Sequence, residues 1–177
     1  MTSGRGMIGA AWMLLAFPVA LLLSRFFGNA GTLLHMLLGV GCVIVASSLF
    51  DFSTTRWVSV VASLAMGALG AIFLLQGVSD LAPNATLGTI AYGVLGQTPE
   101  RVLPDLFILW CLVTLVQHSR GRSRLFGICV MVLVLVVDVL DYGVSFRGGD
   151  IPEPAKLLYL LPFAWLLVES SRPRPVT

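Results

Sequence analysis

Apolar residues in this chain come in long uninterrupted blocks, not in the two-residue alternation of a half-buried strand. Gly6–Ser24, Phe26–Phe50 and Trp57–Ser79 carry no charge over 19, 25 and 23 residues. At about 1.5 Å per residue, each is long enough to cross about 30 Å of hydrocarbon as a helix. The second half differs. Leu106–Ser119, Leu125–Val137 and Leu157–Val168 run only 14, 13 and 12 residues before a charge interrupts. Each can span only by drawing an ionisable group into the membrane.

The pattern predicts one all-α domain, a polytopic six-transmembrane-helix bundle, with spans at about 7–26, 32–50, 57–78, 99–118, 125–144 and 155–170. Thr98-Pro99-Glu100 reads as the opening of the fourth span: a Thr cap, Pro at the first position and an acid in the first turn. Pro154 has the same opening role for the sixth, whereas Pro18, Pro104 and Pro162 fall inside spans and each removes a backbone hydrogen bond. The longest connection, about Ser79–Thr98, joins spans three and four. In it Leu87, Ile90, Ala91, Val94 and Leu95 recur at helical spacing, which predicts a short interfacial helix on the outer side, capped by Asn84. Gly88, Gly93 and Gly96 leave a re-entrant loop open as the alternative.

Composition agrees with a bilayer as solvent. Of 177 residues, 57% are hydrophobic and 11% charged, with a mean hydropathy of +0.93. That leaves too little polar surface for a water-soluble particle and argues against a soluble enzyme, a nucleic-acid binder or a disordered regulator. Cys42, Cys111 and Cys129 lie in apolar runs without CxxC spacing, so neither a disulfide scaffold nor a thiolate metal site is expected. His35 and His118 fall near opposite faces in this topology, which argues against a shared haem. No cofactor, metal site or catalytic set is expected.

Arginines set the orientation. Arg120, Arg122 and Arg124 crowd the loop between spans four and five, and Arg172 and Arg174 follow span six. With Arg5 and Arg56 they put seven positive residues on one side against Asp51 and Glu169, leaving Arg25, Arg101, Arg147 and Lys156 with seven acids on the other. The positive-inside rule then places both termini in the cytoplasm, and short loops suit a bacterial inner membrane. The Arg120–Arg124 cluster acts as this topology signal or as a grip on anionic lipid head groups. The partners expected are the lipid bilayer and other membrane protein subunits.

The ionisable residues inside the spans are the candidate chemistry. Counted from the cytoplasmic helix ends, His35, Asp105, Asp138 and Lys156 lie at about 20–22 Å, and Asp141 sits one turn above Asp138 on the same face. A lone charge at such depth costs about 2.5–3.5 kcal/mol, so these groups should face inward and find partners. One reading is an outward-facing cavity in which the aspartates bind a cation, a proton or a polar head group, tuned by His35 and Lys156. Another is an internal ion-pair layer that fixes helix order, and a third lets Asp141 and Lys156 snorkel to water. Three function classes follow, in this order: a non-catalytic accessory or interaction subunit; a small transporter or ligand-binding subunit using the polar layer; an intramembrane enzyme with Asp138 and Asp105 as acid and base. The last lacks an activated nucleophile or a full metal-ligand set in the sequence.

Overall fold

In a computed structural model, residues 4–27, 29–51, 55–82, 84–95, 98–146 and 157–171 are described. They are helical throughout, with no strand among them. The elements are α1 (Gly4–Phe27), α2 (Ala30–Ser48) with a 3₁₀ turn at Leu49–Asp51, α3 (Arg56–Leu81), α4 (Ala85–Gly88) running on into a π-helical stretch (Thr89–Val94), α5 (Thr98–His118), α6 (Gly121–Phe146), and a 3₁₀ turn (Leu157–Leu160) leading into α7 (Leu161–Ser170). Four of these, Gly4–Phe26, Ala30–Ser48, Arg56–Leu81 and Gly121–Val144, are long and apolar enough to cross a membrane, and Ala85–Val94, Val102–Gln117 and Leu157–Ser170 are shorter apolar helices. The chain is an integral membrane protein.

Local sequence explains the helix ends. The Asn29 side chain caps α2 by accepting from Thr32 N at 3.3 Å, and Asn84 caps α4 by accepting from Thr86 N at 2.9 Å and Leu87 N at 3.3 Å. Pro162 departs from expectation. It stands in the first turn of α7 and not in a span's interior, and the segment changes there from 3₁₀ to α. A proline has no N–H to lose in a first turn, so this is where the ring is tolerated. Pro154, the expected start of this span, lies outside the described residues, as do Arg147, Arg172 and Arg174.

The long helices close a ring: α1 packs on α2, α2 on α3, α3 on α5, α5 on α6, α6 on α7, and α7 returns to α1. Neighbours run antiparallel. Thr55 at the start of α3 exchanges hydrogen bonds with Gln117 at the end of α5, at 2.9 and 3.3 Å. Ser123 at the start of α6 donates to Glu169 at the end of α7 at 2.5 Å. The end where α1, α3 and α6 begin is called the base below, and the opposite end the top.

The core is built from Trp110, Trp165, Leu49, Met66, Met131 and Leu166, all fully buried. Phe107 stacks on Phe163 at 5.0 Å and on Trp110 at 5.9 Å, which ties α5 to α7. Polar side chains inside the ring bind across it: Trp110 Nε1 donates to Ser59 Oγ at 3.2 Å, and Ser63 Oγ donates to the Ala46 carbonyl at 2.8 Å. Large apolar residues such as Leu64, Val116 and Val139 face outward instead, as they do when the surrounding solvent is lipid.

The closest helix approach is between α2 and α3. A Cβ on Gly70 would stand 2.8 Å from the Gly39 carbonyl oxygen, and one on Gly39 would stand 2.9 Å from the Gly70 carbonyl oxygen. Small residues let backbones meet in this way in a membrane, where no hydrophobic effect presses helices together. Gly70→Ala should therefore lower stability by about 1–3 kcal/mol, read as an earlier thermal midpoint in detergent. Gly67→Ala, one turn away, meets nothing within 4 Å and should leave stability unchanged or raise it by up to ~1 kcal/mol.

Candidate functional site

Two polar clusters form near the top. The first joins α2, α3 and the α4 segment around Asp80, in the last turn of α3. An acid at a helix C-terminus faces the negative end of the dipole, so it needs donors. It has three. Thr32 Oγ1 reaches Asp80 Oδ2 at 3.2 Å, His35 Nδ1 lies 3.4 Å from the same oxygen, and the Tyr92 hydroxyl donates to Asp80 Oδ1 at 2.7 Å. Thr32 and His35 are one helical turn apart, which puts both on the α2 face toward α3. Phe73 stacks against the imidazole at 6.1 Å, and the Tyr92 ring tilts against it at 6.0 Å. His35 and Asp80 remain 25% and 26% exposed, so the pair borders the surface. Nδ1 also lies 3.4 Å from the Tyr92 hydroxyl, so the imidazole, the phenol and the carboxylate form one network.

Tyr92 comes from the π-helical stretch. Its winding is marked by the i→i+5 bond from Leu95 N to the Ile90 carbonyl at 3.0 Å. Ala91 is buried and its carbonyl accepts from Gln76 Nε2 at 3.4 Å, while Ile90 and Val94 face outward. The segment is thus fastened to α3 by Ala91 and by Tyr92.

The second cluster joins α5, α6 and the 3₁₀ turn before α7. The Asp105 and Asp138 carboxyl groups lie close enough for their charges to interact. The Tyr142 hydroxyl donates to Asp105 Oδ2 at 3.1 Å, and the Tyr159 hydroxyl donates to Asp138 Oδ1 at 3.1 Å. Asp138 and Tyr142 are four residues apart on α6, so one face supplies both a carboxylate and the donor for its neighbour. Asp141 Oδ1 lies buried with no hydrogen-bond partner among the described residues.

The candidate layer is therefore divided. Asp105 and Asp138 come together as their equal depth implies, Asp141 lies beside them on α6, and His35 pairs with Asp80 in the other cluster. Lys156 lies outside the described residues. Asp80, Tyr92, Tyr142 and Tyr159 were not among the sequence candidates. The antiparallel α2–α3 hairpin is the signal that could have found Asp80, because it sets the start of one helix beside the end of the next. At the base, Arg120, Arg122 and Arg124 are all exposed. Among the described residues no three His, Cys, Asp or Glu side chains gather to hold a metal, and Cys42, Cys111 and Cys129 are free thiols.

Compared with protein-family models, curated proteins and solved structures, the chain matches none.

The two clusters should loosen independently. Tyr92→Phe removes a half-exposed hydrogen bond worth about 1 kcal/mol, and should speed amide exchange across residues 85–95 by roughly five-fold. Exchange near Asp105 and Asp138 should stay as it was. Tyr159→Phe should give the reverse pattern in hydrogen–deuterium exchange.

Proposed function

We propose that the chain is a non-catalytic accessory or interaction subunit of a bacterial inner membrane, a six-span protein in which α5 and the 3₁₀–α7 unit also cross. In this reading the base faces the cytoplasm with both chain ends, and the Ala85–Val94 segment lies on the outer face. Support for the orientation comes from Arg5, Arg56, Arg120, Arg122 and Arg124, which mark the ends of helices at the base. The observation that carries the functional reading is the use made of the polar groups. Tyr92, Tyr142 and Tyr159 each tie an aspartate on a different element, at 2.7–3.1 Å. Hydrogen bonds of this kind hold helix order in a medium where an unpaired carboxylate is costly. Soluble segments are short, so a partner would read helix faces and tight loops.

One observation favours a second reading, a ligand-binding or transport subunit. Asp105 adjoins Asp138, and the buried Asp141 oxygen beside them has no described partner. Adjoining carboxyl groups in a low dielectric need a compensating positive charge, which a proton or a small cation would supply.

Thermal unfolding in detergent separates the two. Under the subunit reading, Asp105→Asn and Asp138→Asn each lower the midpoint, and no cation or pH step in a panel stabilises the wild type in a way that depends on these aspartates. Stabilisation by one ligand that vanishes in either variant would overturn it in favour of binding. For the topology, single cysteines at Asn84 and Ser171 in a cysteine-free background should label from opposite sides of intact cells, Asn84 from outside. Labelling of both from one side would exclude an odd number of crossings between them, and with it the six-span reading.

A further inference from the structure

The base carries an electrostatic arrangement that helix physics disfavours. α1, α3 and α6 all start there, and none has an acid in its first turn. Each has an arginine there instead: Arg5, Arg56, and on α6 both Arg122 and Arg124, all exposed. The N-terminus of a helix already carries about half a positive charge, so a cation in the first turn adds to it where an acid would offset it. The excess is greatest at the α5–α6 turn. Gly121, at φ +60, lets the chain reverse through Ser119 and Arg120 alone, and a Cβ placed on Gly121 would meet nothing within 4 Å. The turn therefore stands open, with Arg120 before it and two further arginines after it. Ser123, between the two arginines of α6, donates to Glu169 at the end of α7. The Ser119 hydroxyl is buried, 2% exposed, and lacks a partner among the described residues.

We propose that the α5–α6 turn, through Arg122 and Arg124 with Arg120 beside them, binds the phosphate of an anionic phospholipid head group. A phosphodiester at the membrane surface supplies acceptor oxygens that match guanidinium forks and free first-turn N–H groups. The helix axes run into the bilayer from this end, so the turn lies at the depth where head groups lie. The inference goes beyond the accessory-subunit reading and holds whichever leaflet the base faces. A pure topology signal, by contrast, acts during insertion and has no lipid preference afterwards.

The test uses the purified full chain in detergent, titrated with phosphatidylglycerol or with phosphatidylcholine of the same acyl chains, reading bound lipid by native mass spectrometry and the thermal midpoint in parallel. Phosphatidylglycerol should be retained and should raise the midpoint, phosphatidylcholine should do neither, and inorganic phosphate should not substitute. Each arginine changed to glutamine, in R122Q and R124Q, should weaken retention about five-fold, whereas Arg25→Gln at the top should retain the full response. Equal responses to both lipids would overturn the proposal. So would full replacement by inorganic phosphate, or an undiminished response in R122Q/R124Q. If the double variant does not fold, the wild-type comparison of the two lipids and the single R124Q variant decide.

Discussion

The fold depends on a constraint set by hydrocarbon: a carboxylate that enters the bundle is costly unless a donor meets it, and three of them are met from another element. Asp80 is met by Thr32, His35 and Tyr92, Asp105 by Tyr142, and Asp138 by Tyr159. Every one of these bonds except the Thr32 and His35 pair comes from a tyrosine. A phenol suits the task because its ring packs as an apolar body while the hydroxyl reaches a polar group some distance from the backbone. The same bonds decide where the shorter segments sit. The α4 segment has only Ala91 fully buried, so its position rests on Tyr92 more than on apolar area. The 3₁₀ turn before α7 buries no residue fully and is held through Tyr159.

The halves of the ring are joined in different ways. α1, α2 and α3 meet through small residues and backbone oxygens, with Gly39 against Gly70 and Gly9 against Val45. No charge interrupts their apolar runs, so dispersion between close backbones can do most of the holding. α5, α6 and α7 carry charges that shorten those runs, and they meet through aromatic stacking at Phe107 and Phe163 and through the carboxylate–phenol contacts above. On α5 the shorter apolar length and the presence of Asp105 are two sides of one feature, whereas α6 carries Asp138 and is still long and apolar enough to span.

Much of this was legible in the sequence where a signal is local. Charge-free length marks α1, α2 and α3, and Asn84 followed by Ala-Thr-Leu marks the start of α4. The similar depth of Asp105 and Asp138 could be counted from the sequence, although His35 at the same count joins Asp80 instead. The partners could not. A tyrosine hydroxyl is uncharged and does not interrupt an apolar run, so a scan for charges passes over Tyr92, Tyr142 and Tyr159. Asp80 ends a charge-free stretch and looks like ordinary loop chemistry until α2 is laid beside α3, 45 residues away in sequence from His35. The winding of residues 89–94 was not legible either: helical periodicity assumes i→i+4 bonding, and the i→i+5 winding of Thr89–Val94 rotates each following residue onto another face.

Dividing the polar groups into two clusters changes what each can do. A single layer of His35, two aspartates and a lysine would combine opposite charges and could neutralise itself. Apart, the clusters have different characters. Around Asp80, one carboxylate has three donors, including an imidazole, and its hydrogen-bonding capacity is largely filled from within. Around Asp138, two carboxyl groups share two phenols while an Asp141 oxygen stays unpartnered among the described residues. The first arrangement behaves as a fastening, because an added cation would find its acceptors already used. The second retains acceptor capacity at Asp141, and it is this seam that the ligand-binding reading draws on. The histidine is the more conspicuous residue in the sequence, but the contacts around it, to Asp80, Tyr92 and Phe73, are those of a fastening between helices.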